Sequence, residues 1–263
     1  MMNKYLILKK LLPTLLMSGH AMATGIAVNI DVPDTRGDGD AGVPTIADFI
    51  SQNSGSNLTA SDTFFNSTTT GNASNFGLNF GGGVGIGGFT VTTSHIDGPP
   101  NTGTNSGFNA GDVSHNDLNP ITEGYAFSAA GTIVTIDSLL ANSSAGDQIT
   151  LAIWGIGDNI DQEGSFTVTY GANTAAEGNT QSTLYNGATI TDRGDATGSI
   201  PFVNFTFTAD GTTDEISFQI ANGPGTTNAV INGFSLAVVP VPEPSSVALL
   251  GLGFMGFVLR RRR

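Results

Sequence analysis

Apolar residues recur at every second position through the C-terminal half of the chain. Val134 and Ile136 alternate with Ile133 and Thr135, and Ile149, Leu151 and Ile153 share one side of a run, as do Phe166, Val168 and Tyr170. The pattern repeats in Val203, Phe205 and Phe207, in Ile216, Phe218 and Ile220, and in Phe234, Leu236 and Val238, while Tyr125 and Phe127 alternate with small residues. A period of two marks strands with one face in a core and one in water. Asp210-Gly211, between two of these runs, predicts a hairpin turn. About six or seven such strands over residues 116–239, with turn-rich spacers, predict an all-β fold, an antiparallel β-sandwich of jelly-roll type. No stretch between the two ends of the chain carries a sustained helical period.

Residues 24–115 are patterned more loosely. Asn53 to Gly111 is rich in Gly, Ser, Thr and Asn, broken by short apolar pieces at Phe64-Phe65, Phe76 to Phe80 and Phe89 to Val91. Edge strands with long loops and partly disordered segments both fit this composition. The domain expected to carry the protein's work is residues 24–239 as a whole, ending in a strand over Asn228 to Val239 that leads out of the edge or end of the sandwich.

The two ends read differently. Lys4, Lys9 and Lys10 precede a short apolar run, Leu11 to Met17, and a small-x-small site at Ala21-Met22-Ala23. That is the layout of a secretory signal peptide over residues 1–23, with cleavage after Ala23 and the Sec translocon as first partner. At the other end, Val241-Pro242-Glu243-Pro244-Ser245 is followed by 13 uncharged residues, Val247 to Leu259, and then by Arg260, Arg261, Arg262 and Arg263. The prolines lack backbone donors and bias their predecessors away from helix, so the segment is expected to be extended and readable by an enzyme. The apolar run makes a helix of roughly 20 Å, short of a bilayer core of roughly 30 Å but extendable by snorkelling arginine stems. The arginines act as a cytoplasmic membrane stop.

This tail resembles the PEP-CTERM sorting signal of Gram-negative bacteria in all three of its parts and in their order, over about residues 240–263. The resemblance implies an exported protein held at the inner membrane by its C-terminal helix. It also implies processing by an exosortase that recognises Pro242, Glu243 and Pro244, followed by delivery to the cell envelope or beyond. Proteins with such tails are often linked to exopolysaccharide, biofilm or floc formation.

Charge narrows the partners. Between the signal peptide and the C-terminal apolar run the only basic residues are Arg36 and Arg193, against all 22 acidic residues, from Asp31 to Glu243, a formal charge of −20. Such a surface repels phosphate backbones, which argues against nucleic acid and for divalent cations or basic partners. The chain has no cysteine, so no disulfide supports the exported domain.

Candidate chemistry is sparse. Asp34, Asp38 and Asp40 alternate with glycines, and Asp158, Asp161 and Glu163 form a second acidic loop. Oxygen ligands on flexible turns suit a structural Ca²⁺, and solvated acidic turns are the plainer reading. Asp112, His115 and Asp117 form a weaker candidate cluster for a transition metal. Gly83 to Gly88 matches G-x-G-x-x-G, but Phe89 to Thr92 after it reads as strand rather than helix, which favours a flexible loop over a dinucleotide site. Trp154 lies on the opposite strand face from Ile149, Leu151 and Ile153. It is expected either to stack on a sugar ring or to cover a second hydrophobic cluster. No catalytic motif is present, so the expectation is a non-enzymatic structural or adhesive protein, with a carbohydrate-binding module or a polysaccharide hydrolase as alternatives.

Overall fold

The computed structural model describes residues 24–30, 44–67, 78–96, 98, 100–104, 121, 124–155, 164–178, 202–223 and 227–241. They form an all-β body. Its strands are β1 (Thr24–Asn29), β2 (Thr63–Asn66), β3 (Val84–Ile86), β4 (Phe89–His95), β5 (Asn101–Thr104), β6 (Gly124–Phe127), β7 (Thr132–Asp137), β8 (Gln148–Trp154), β9 (Gly164–Tyr170), β10 (Asn173–Gly178), β11 (Phe202–Thr208), β12 (Glu215–Asn222), β13 (Val230–Ile231) and β14 (Gly233–Val239). Two short helices, α1 (Ile46–Gln52) and α2 (Leu139–Asn142), and a 3-10 turn at Ser54–Ser56 complete it.

One sheet has the order β11-β8-β14-β1-β2 and a second the order β10-β9-β12-β7-β4-β3; β13-β6-β5 form a small third sheet. Every pairing is antiparallel except β1 with β2. The inner faces of the two large sheets meet in one core. Ile26, Val28, Ile149, Leu151, Ile153, Phe234, Leu236 and Val238 from the first lie against Val134, Ile136, Phe166, Val168, Phe218 and Ile220 from the second. Phe218 and Phe234 stack edge-on across the layers at 5.3 Å, and Tyr170 meets Phe207 at 5.7 Å. The period-two faces of the sequence are these inner faces.

Three expectations are corrected. Asp210-Gly211 does not close a hairpin: β11 pairs with β8, and β12 pairs with β7 and β9. The turn is an arch between layers, because the apolar sides of the two strands face one another across the core instead of lying side by side. Gly83 to Gly88 is not a flexible loop but β3 and the turn of the β3–β4 hairpin. Ile86 pairs with Phe89, and Gly87 and Gly88 hold φ of +56° and +91°, which a two-residue turn of this hand requires. In the loosely patterned N-terminal region Phe64-Phe65 lies on the edge strand β2, as expected, whereas Phe89 to Val91 lies on β4, an interior strand between β7 and β3.

The outer face of the first sheet is also covered. α1 is short but capped: the Thr45 hydroxyl accepts from the Asp48 N–H at 3.4 Å, and the Asp48 carboxylate accepts from the Thr45 N–H at 2.8 Å. Its Phe49, with Leu58 and Ile121, closes over Ala27, Ala152, Trp154 and Ala237. β8 and β14 are therefore buried on both faces.

Candidate functional site: the C-terminal end of the body

β14 ends where Val239 pairs with Gln148. Pro240 has no N–H, so the ladder cannot continue through it. The next donor, the Val241 N–H, goes to a side chain instead: it donates to Asp147 Oδ1 at 3.2 Å. Asp147 is held on every side. Its Oδ2 accepts from the Ser144 N–H at 2.7 Å, its own N–H donates to the Ser144 carbonyl at 3.1 Å, and its carbonyl accepts from the Ala209 N–H at 2.8 Å. Asp147 is 6% exposed and Val241 is 53% exposed. The folded body thus ends on a fixed carboxylate, one residue before Pro242.

The N-terminal end lies at the same place. Thr24 is the Cα partner of Val238, so β1 starts beside the point where β14 finishes. Gln148 and Thr208 also pair at this end of the sheet, and the β11–β12 arch and Glu215 opposite Asp137 continue it on the second sheet. Most described carboxylates gather here, and most serve turns. Asp62 accepts from the Thr59 N–H at 2.6 Å and Asp214 from the Leu140 N–H at 2.8 Å. Asp210 accepts from the N–H groups of Thr212 and Thr213 at 2.7 Å each and from the Thr213 hydroxyl at 2.7 Å. These bonds, the Thr213 hydroxyl first, hold its carboxyl well below the ordinary 3.8. The Tyr170 hydroxyl accepts from the Asp210 N–H at 3.0 Å, and burial is the main cause that pushes this phenol up.

Trp154 is not a sugar platform. It is fully buried, packs on Phe49 at 4.9 Å and Phe202 at 5.5 Å, and its Nε1–H donates to the Ile121 carbonyl at 2.9 Å. The strand register placed it on the outer face as expected, but α1 and Ile121 close that face. Ala21, Ala23, Asp34, Asp38, Asp40, Asp112, His115, Asp117, Asp158, Asp161, Glu163, Pro242 to Ser245 and Arg260 to Arg263 lie outside the described residues. Among the described residues no group of three or more His, Asp or Glu is placed to hold a metal, and no helix is long and apolar enough to cross a membrane. The run Val247 to Leu259 lies outside them.

The second sheet keeps an outer face with a regular polar surface. Thr92 pairs with Thr135, Thr135 with Ser217, Ser217 with Thr169 and Thr169 with Thr174. Five hydroxyls therefore cross five strands in one row, at a strand spacing of about 4.8 Å. All five are half-buried or exposed. The neighbouring row holds Ser94, Ile133, Gln219 and Thr167, and among the residues whose side chains are described carboxylates enter this face only at Asp137 and Glu215, at one border.

Residues 240–263 match the PEP-CTERM protein-sorting motif. The PEP-CTERM tail implies an exported, envelope-directed chain with an exosortase as its processing enzyme. No curated protein matches the sequence. Among solved structures, Bacteroides uniformis beta-glucuronidase 2 bound to cyclophellitol-6-carboxylate aziridine shares 12% identity over 55% of this chain and 14% of its own, with a TM-score of 0.29. The ANX2 ectodomain from Arabidopsis thaliana shares 14% over 55% and 41%, with a TM-score of 0.35. A family 35 carbohydrate binding module from Clostridium thermocellum shares 8% over 42% and 76%, with a TM-score of 0.27. The chain spans only a small part of the glucuronidase, and likeness this low assigns neither ligand nor activity.

The tail was legible because its parts are contiguous. Asp147 was not: it is a single acid in an Ala-Gly-Asp turn, and its contact with Val241 spans 94 positions. The only signal was that a Gly-Asp turn precedes a strand.

Proposed function

We propose that this is an exported, exosortase-processed protein of the cell envelope or extracellular matrix, structural or adhesive rather than catalytic, that works alongside exopolysaccharide. The PEP-CTERM motif at residues 240–263, joined directly to a folded body, carries the reading. A cleaved signal peptide and a short C-terminal membrane helix belong to it. The start of β1 at Thr24, immediately after the expected cleavage bond, supports the first. A jelly-roll-like arrangement of the two sheets is part of the same proposal.

The matrix role is supported by the outer face of the second sheet. A row of hydroxyls without charge, on a body of strongly negative formal charge, suits an uncharged, hydroxyl-rich polymer and disfavours a polyanionic one. Among the described residues, the hydrolase alternative is weakened by the use of Asp62, Asp147 and Asp210 as turn acceptors and of Asp214 as an acceptor at the start of α2. Affinity electrophoresis of residues 24–241 in gels of neutral or uronate-bearing polysaccharide tests this reading. Retention is expected on a neutral polymer. It should weaken by about tenfold, the equivalent of about 1.4 kcal/mol, when Thr135→Glu and Thr169→Glu place charge in the row. Equal mobility of parent and variant in every gel would remove the matrix role.

A further inference from the structure

We propose that the outer layer of the first sheet holds a buried water-binding site, in which one water is shared by the Asn29 side-chain amide and the Ser235 hydroxyl. Among the described residues, four buried side-chain atoms have no hydrogen-bond partner in the protein: Asn29 Nδ2, Asn29 Oδ1, Ser67 Oγ and Ser235 Oγ. They gather on three neighbouring strands. Asn29 lies on β1 and Ser235 on β14, and the Ser67 N–H, just past β2, donates to the Asn29 carbonyl at 3.0 Å. Ile26 and Val28 turn to the inner core and Ala27 to the outer cluster, so Asn29 points outward with Ala27. Ser235 is the Cα partner of Ala27 on one side and of Ala152 on the other, and both alanines belong to the outer cluster. Asn29 and Ser235 are therefore diagonal neighbours on one face, with Cα atoms about 7–8 Å apart. The alanine methyls beside Ser235 take up little of the space between them. Turning the amide over repairs nothing, because both of its ends are unpaired. Buried amides are almost always bonded, to protein or to ordered water. Here the occupant must accept from Nδ2 and donate to Oδ1, so the first repels a cation and the second an anion. Asn29 and Ser235 are both 0% exposed, so it must also be small. Water meets each demand, and two side chains with three polar atoms give it the partners that a buried water needs.

The test is a water-to-amide NOE measurement on the isotope-labelled full chain in detergent, with the Asn29 side-chain amide assigned through its own backbone. Its protons should show an NOE at the water frequency, of the sign that a long-lived bound water gives. NOEs to another stretch of the chain in place of water, or no NOE at all, overturn the inference. Unfolding of the full chain gives a second readout. Asn29→Leu keeps the shape of the side chain and should raise the unfolding equilibrium constant by about tenfold, and Ser235→Ala by about threefold. Because one water serves both groups, the double variant should show about tenfold again, not the product of about thirtyfold expected of independent sites. An Asn29→Leu protein as stable as the parent or more so, or effects that multiply, overturns the shared water. Should a variant not fold, the NOE of the parent decides.

Discussion

At the scale of single residues, the side chain that matters most to the body is Trp154. Its ring fills the space left by Gly233 on the neighbouring strand, where an added Cβ would run into the Val28 carbonyl and the indole itself. Phe49 and Phe202 meet edge to face beside it at 5.4 Å, so three rings close the outer cluster around one hydrogen bond to Ile121. Trp154→Ala should cost about 3–5 kcal/mol, from lost burial and the cavity left behind. Trp154→Phe keeps most of the packing but loses the hydrogen bond to the Ile121 carbonyl, at about 0.5–1.5 kcal/mol. Urea unfolding of the two variants measures the difference. If Trp154→Ala unfolds at the parent's midpoint, the indole does not hold this cluster.

At the scale of elements, α1 shows how a sequence hides what covers a sheet. A helix of seven residues is marginal by itself, so its position depends on the Thr45–Asp48 box and on Phe49 docking. Thr45→Ala should cost about 1 kcal/mol, measured as a lower melting temperature, and should leave the strand content by circular dichroism unchanged. An unaltered melt would mean that the box is not needed to seat the helix. Strands with one wet face, such as β7 and β9, were legible because their alternation survives in the structure. β1 was not, since Thr-Gly-Ile-Ala-Val-Asn is buried on both sides and leaves no polar phase to read. Nor could the alternation of β8 tell that its second face is closed, because the closing residues, Phe49 and Leu58 on one side and Ile121 on the other, come from separate stretches far upstream. The Asp210-Gly211 turn misled for a different reason. Asp and Gly satisfy a tight turn equally well whether the next strand pairs beside the last or crosses to the facing sheet.

At the scale of the whole molecule, the body brings both of its ends and most of its described carboxylates to one end of the two sheets, with His95 toward the other end of β4, and these groups set its response to pH. Asp210 has a depressed value, so its contribution is complete above the ordinary 3.8 and is lost as pH falls toward its folded value. His95, on β4, is lowered mainly by burial, which a hydrogen bond to the Leu78 backbone opposes. The unfolded chain therefore takes a proton near 6.5 that the folded chain resists, and stability declines as pH falls through that region. Tyr170 is raised, chiefly by burial, so the fold keeps its proton longer and loses stability as pH rises past the ordinary value of 10. The three signs agree on a plateau between about 7 and 9, with a gradual fall through the acid range and a separate fall above 10. Melting temperature against pH, at a salt concentration high enough to screen the acidic surface, measures this profile. His95→Gln should remove the part of the decline that begins near 6.5 as pH falls and leave the limb below 3.8, to which Asp210 contributes. Asp210→Asn should flatten that lower limb while lowering the plateau, because an amide cannot accept the Thr212 and Thr213 donors through two oxygens. If the acid limb survives unchanged in Asp210→Asn, the arch between the sheets is not what titrates.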